Sequence, residues 1–174
     1  IHVKSVDSGF SVSYGGDGRT TRPTRIAAVS TGEAEGSSPP VPSRGGPVCC
    51  TGDPAERSGP ADQAEVEARP DVLVYTSAPL DRDLRIAGPL RARITFSSSA
   101  PDTDLVARLV HVRPDGMATG IQEGALRLRY RDGYASPAMM VPGRPYEVTV
   151  EMRSIAYAIP KGHRFPKRSG IDRK

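Results

Sequence analysis

Leu90-Arg91-Ala92-Arg93-Ile94-Thr95-Phe96 is the stretch that decides the fold. Its apolar residues at 90, 92, 94 and 96 alternate with Arg91, Arg93 and Thr95. A period of two is that of a β-strand with one buried face and one wet face. Reading outward, DLVARLVHV at 104–112 is apolar on both faces and predicts a central strand. Leu126, Leu128 and Tyr130 alternate with Arg127, Arg129 and Arg131, and Tyr146, Val148, Val150 and Met152 alternate with Glu147, Thr149 and Glu151. These predict two more half-wet strands, and VLVY at 72–75, following a proline, predicts a shorter one. The RPDG at 113–116 and the VPGR at 141–144 each combine a proline that presets φ with a glycine open to positive φ, so both read as turns. No stretch keeps a helical period for three turns. The fold class is therefore all-β, an antiparallel sandwich.

The 174 residues suffice for one domain of ordinary size, with a modest core given 37% hydrophobic residues and no Trp. Lys and Arg number 24 against 20 acidic residues, a net charge of +4, but the arginines alternate with apolar residues instead of clustering with aromatics. That is a solvated sheet face and not a nucleic-acid surface. No apolar run approaches the ~20 residues a membrane helix needs. No signal-peptide pattern is visible at the start, which makes a cytoplasmic location the expectation. Cys49 and Cys50 are the two cysteines; being adjacent, they read as reduced thiols packed as small apolar groups, and they cannot supply a zinc site alone. No cofactor or metal is expected. Between Thr20 and Gly59 the chain is rich in Gly, Pro and Ser and lacks apolar periodicity. The expected organisation is an irregular linker over residues 1–44 and a sandwich domain over residues 45–174.

Ordered markers add to this periodicity. They are Asp62-Gln63, the RPDVLVYTS at 69–77, Gly88-Pro89, the SSSAPDTD at 97–104, Pro114-Asp115-Gly116, Arg129-Tyr130-Arg131, Pro142-Gly143 and Gly162-His163-Arg164. With them the chain resembles, over residues 45–164, the C-terminal domain of the X-Pro dipeptidyl-peptidase and cocaine-esterase-like acyl hydrolases. The resemblance implies a jelly-roll β-sandwich of the galactose-binding-like type. It also implies a partner: in that family, esters or amides are hydrolysed by a Ser-His-Asp triad on a separate α/β-hydrolase catalytic domain, against which the jelly roll packs. The chain has almost nothing ahead of its Gly-, Pro- and Ser-rich stretch at 20–59 that could hold such a domain, so this chain alone is expected to be inactive.

One segment imitates a nucleophile. Ser11-Val12-Ser13-Tyr14-Gly15-Gly16 differs from the family's G-x-S-Y-x-G bend only by Ser11 for the first glycine. An elbow needs a helix leaving the serine so that the strained turn faces an oxyanion hole. The DGRTTRPT that follows is polar, contains a proline and cannot start one, so Ser13 reads as part of a glycine-rich loop. Of the three histidines, His2 lies in the terminal segment, His111 in an apolar strand and His163 in a marker that the resemblance makes a structural turn. Asp102 and Asp104 flank Thr103 and read as short side chains satisfying the backbone of a tight turn. No catalytic, cofactor-binding or metal-binding residue is assigned.

Both ends depart from the resemblance, and residues Thr21 to Pro39 lack the family's Tyr-containing linker pattern. After Arg164 the family's apolar strand is replaced by FPKRSGIDRK, so one strand or more is expected to be missing. An open sheet edge would follow, with self-association into a homo-oligomer or reliance on a partner surface. Two other readings stay open at this point, a stand-alone carbohydrate-binding sandwich, against which the scarcity of loop aromatics speaks, and a gene remnant without function. The purified chain should show no turnover of p-nitrophenyl esters or X-Pro dipeptide amides above buffer. Activity abolished by Ser13→Ala would restore the elbow.

Overall fold

The structure, a computed structural model, describes residues 59–68, 72–74 and 76–164, together with the backbone of two earlier strands. Those strands are β1 (Ser11–Tyr14) and β2 (Ile26–Thr31). They are followed by a single helical turn α1 (Ala64–Glu67), β3 (Val72–Leu73), β4 (Leu84–Phe96), β5 (Asp104–Val112), β6 (Ala118–Arg127) and β7 (Tyr146–Ile159). Every pairing is antiparallel, in two sheets ordered β1-β4-β7 and β3-β2-β5-β6. The all-β sandwich predicted from alternation is the fold found, and among the described residues no helix is long and apolar enough to cross a membrane.

The deciding stretch lies in β4. Leu90, Ala92, Ile94 and Phe96 are buried while Arg91 and Arg93 are exposed. They share one core with Val148, Val150 and Met152 of the adjacent β7 and with Leu105, Ala107 and Leu109 of β5 in the other sheet. β5 is central, flanked by β2 and β6. Its second face is covered as well, because Val106 packs with Val66 and Val72, and Val110 and Val112 pack with Ala118. Burial on both faces is why its sequence does not alternate.

A bulge re-aims β7. Gly88 pairs with Ile155 and Leu90 with Met152, so Pro89 alone stands opposite Arg153 and Ser154. Proline has no N–H to give the ladder, and a bulge is where a strand tolerates it. Beyond it the inward positions of β7 change from Val148, Val150 and Met152 to Ile155, Tyr157 and Ile159. Both predicted turns are present. Gly116 N donates to Arg113 O at 3.0 Å, and Arg144 N donates to Val141 O at 3.1 Å with Gly143 at φ +79°.

Three expectations need correction. Residues 1–44 are not linker throughout, since β1 pairs with β4 and β2 joins β5 to β3, so the sheets draw on chain well ahead of residue 45. Ser13 sits in β1 opposite Arg91, in neither an elbow nor a loop. The alternation at 126–131 is not one strand either. β6 stops at Arg127 and Leu128–Tyr130 forms a 3-10 turn, because Leu128 N donates to Thr103 O (3.0 Å) and Arg129 N to Asp102 Oδ1 (3.0 Å). Those bonds pull the backbone out of the ladder. His2, Cys49, Cys50 and residues 165–174 lie outside the described residues.

β6 passes close against β7 of the other sheet at Gly124. A Cβ at Gly124 would stand 2.2 Å from Glu151 O and 2.9 Å from Met152 Cγ, so only glycine fits. Gly124→Ala should destabilise by about 1–3 kcal/mol through overpacking, and Leu109→Ala by about 2–5 kcal/mol through its cavity. Arg91→Ala, which loses an exposed pair with Glu151, should change stability by less than about 0.5 kcal/mol. Urea melts of the three variants check this order, and comparable losses in all three would refute it.

Candidate functional site

Three polar clusters and one exposed loop stand out from the apolar framework. The first gathers around Asp102, in the loop between β4 and β5. Its Oδ2 accepts from Arg127 Nε (2.7 Å) and from Arg129 Nε (2.5 Å), and its Oδ1 accepts from Arg129 N. Arg127 also reaches Asp104 Oδ2 at 3.2 Å. Burial alone would raise the Asp102 pKa, but the bonds from Arg127 and Arg129 outweigh it and hold the carboxyl below its usual range. Asp102 and Asp104 therefore do more than satisfy their own turn, and Arg127 is not simply on a wet face. Alternation could not reveal partners 25 residues away.

The second cluster is on the outer face of β5. Buried Arg108 donates through Nη1 to Gln63 Oε1 (2.5 Å) and through Nη2 and Nε to Glu123 Oε2 (2.5 and 2.9 Å). Gln63 returns a bond from Nε2 to Ala61 O, and Gln63 N donates to Ala118 O. These bonds fasten the segment carrying α1 across β5 and β6. Gln63 was visible only as half of the Asp62-Gln63 marker.

The third cluster unites the two described histidines. His111 Nδ1 is 2.9 Å from the Tyr157 hydroxyl, and its Nε2 is 2.7 Å from His163 Nδ1. Burial first, then His163 and Arg113, hold the His111 pKa below its usual value, while burial raises that of Tyr157. Neither Asp102 nor Asp104 bonds to either ring, and no serine or cysteine does so among the described residues. The cluster can bind and relay a proton, but it presents no acyl-transfer nucleophile. No three His, Cys, Asp or Glu side chains gather as metal ligands among the described residues.

The loop over residues 131–145 is pinned from beneath and apolar on top. Ala138 N donates to Arg129 O, Met140 N to Pro101 O and Gly143 N to Ser98 O. Arg131 Nη1 donates to Leu128 O and Ala138 O, and the Arg131 and Arg144 guanidinium groups lie 4.9 and 5.5 Å from the Tyr146 ring centre. Tyr134 stays 85% exposed beside Tyr130, ring centres 5.1 Å apart, with Met139 at 58% and Val141 at 56%. Tyr134 is the one aromatic residue of this loop, with Tyr130 in the preceding 3-10 turn and Tyr146 opening β7.

Comparison with known proteins places this geometry. Residues 6–165 match the family described as the X-Pro dipeptidyl-peptidase C-terminal non-catalytic domain. The chain belongs to that family. It is 40% identical over 127 residues to the cocaine esterase of Rhodococcus sp. (strain MB1 Bresler), a match covering 72% of this chain and 21% of that protein. The crystal structure of an aminopeptidase from the marine sediment archaeon Thaumarchaeota archaeon superposes with TM-score 0.67 at 25% identity, over 91% of this chain and 28% of that one. An α-amino acid ester hydrolase superposes with TM-score 0.58 at 28% identity, over 61% and 19% of the respective chains. The chain thus spans about a fifth of the length of its curated relative, and it corresponds to the non-catalytic C-terminal domain of hydrolases of this family.

The Asp102 cluster should carry structural weight. Breaking a buried pair from one side costs about 3–5 kcal/mol, so Asp102→Ala should approach that range. Arg127→Ala should cost about 1–3 kcal/mol, because Arg129 still meets the carboxylate. The folded pKa lies below the unfolded value of about 3.9, so this contribution is complete above that pH and drains as pH falls through the folded value. Melts from about pH 7 to about pH 2 should show an acid loss that Asp102→Asn, already uncharged, lacks. A parallel loss in the variant would assign it elsewhere.

Proposed function

We propose that this domain serves an α/β-hydrolase catalytic domain, bearing a Ser-His-Asp triad for ester or amide hydrolysis, by packing on it and shaping the approach to its active site. The jelly-roll topology belongs to the same reading. The observation that carries it is the pinned loop over residues 131–145. Of the large hydrophobic residues exposed among the described residues, Val74, Tyr134, Met139 and Val141, three stand on this loop. Exposed apolar groups on a backbone already fixed by hydrogen bonds are what a docking face needs, since little ordering entropy is lost on contact. The names of the relatives, an esterase, an ester hydrolase and an aminopeptidase, support acyl hydrolysis as the activity served.

A chimera tests this reading. The chain replaces the matched fifth of the Rhodococcus cocaine esterase, and esterase turnover and thermal stability are compared with those of the truncated enzyme. The chimera should recover both, and Tyr134→Asp with Met139→Asp should remove most of the recovery while the isolated chain still melts at its original temperature. A fully active double variant would move the docking face elsewhere. A chimera no better than the truncated enzyme, with oligosaccharide binding by the isolated chain, would favour a carbohydrate module using Tyr130 and Tyr134.

A further inference from the structure

His111 keeps the inward parity of Leu105, Ala107 and Leu109, yet it meets polar groups because it stands at the end of the sandwich. Tyr157 meets it only because the bulge opposite Pro89 turns the odd-numbered residues of β7 inward. Across this end lie residues 160–164. Gly162 N donates to Leu80 O (2.9 Å) and Leu80 N to His163 O (2.8 Å). Arg164 N donates to Val112 O (2.8 Å) and Val112 N to Arg164 O (3.0 Å), so Arg164 bridges both Pro79 and Val112. The His111–His163 contact links this segment, side chain to side chain, into the interior.

That link has a limited proton capacity. With both rings neutral, one proton lies between Nε2 and Nδ1 and the bond forms in either tautomer. With one ring charged, the imidazolium still donates to its neutral neighbour. With both charged, two N–H groups of like charge face each other across 2.7 Å and no bond is possible. Among the described residues no carboxylate bonds to either ring. Facing His111 are the neutral Tyr157 hydroxyl from β7, His163 from the segment, and Arg113 at the end of β5, whose guanidinium is paired with Asp115. The segment adds Lys161 and Arg164, and from the approach to β4 Asp83 accepts from Lys161 N (2.8 Å) and not from a ring.

We propose that the His111–His163 pair is a proton-released latch that holds residues 160–164 across the end of β5 while its rings carry at most one positive charge and lets them go on acidification, when the pair takes up a second. Release unpairs Val112 and Leu80 and uncovers that end of the sandwich without disturbing the central core.

Amide hydrogen exchange on the full chain, corrected for intrinsic rates, tests it at about pH 7.5 and about pH 5. The amides of Leu80, Val112, Gly162 and Arg164 should lose at least about tenfold protection at the lower pH, while those of Leu90, Leu109 and Val150 hold. In His163→Gln, which can hydrogen-bond but not titrate, protection of the four amides should not depend on pH. Unchanged protection in the wild type, or the same acid loss in His163→Gln, overturns the latch. Should the variant not fold, the wild type decides. Nuclear magnetic resonance of the two imidazole rings must titrate with the midpoint of the exchange loss, and a separate midpoint overturns the proposal.

Discussion

A carboxylate taken out of water at the rim of a sandwich must have its charge met, and Asp102 meets this demand in a way that shapes everything around it. Two guanidinium groups and one backbone N–H converge on its oxygens. The N–H belongs to Arg129, so accepting it ends β6 and starts the 3-10 turn. Leu128, swung inward by that turn, enters the core fully buried. The same turn aims the chain into the loop that displays Tyr134, and Met140 comes back to bond Pro101 next to Asp102. One buried charge thus sets where a strand stops, which residue completes the core, and where the exposed apolar loop stands.

β5 imposes the second constraint. A strand flanked on both edges and covered on both faces must have each inward and outward residue matched, and it carries the only two polar side chains of its length that are buried, Arg108 and His111. Each is satisfied by residues far along the chain, Gln63 and Glu123 for the first, Tyr157 and His163 for the second. Buried polar groups at such positions cost more when left unpaired than they contribute when paired. They therefore select against other registers of the segments that reach them, α1 on one side and residues 160–164 on the other.

How much of this was legible follows from what a period can encode. β4, the first part of β7 and β5 are readable because burial on one or both faces writes directly into residue order. The second half of β7 is not, since the shift in parity at Arg153 and Ser154 arises from Pro89 on another strand. β1 and β2 are short and lie in a Gly- and Pro-rich region whose composition reads as linker, and only pairing with β4 and β5 makes them strands. At 126–131 the periodicity misled, because a 3-10 turn stabilised by a distant loop can follow a strand without breaking alternation. The polar clusters fared likewise. His111 was legible as a residue of a buried strand from its apolar neighbours, but Tyr157 as its partner depends on the bulge, and the Asp102 pairings depend on a return of 25 and 27 residues.

The distribution of polarity bears on what the domain is for. An enzyme site keeps some polar groups under-satisfied and open to a cleft, where a substrate completes them. Here the clusters are closed. Asp102 is saturated by its arginines, Arg108 by Gln63 and Glu123, and both nitrogens of His111 are engaged. Among the described residues, Tyr134, Met139 and Val141 stand exposed above a backbone fixed by three main-chain bonds. Under the proposed function, these exposed apolar side chains on a pinned backbone are the surface through which the domain would pack on its catalytic neighbour.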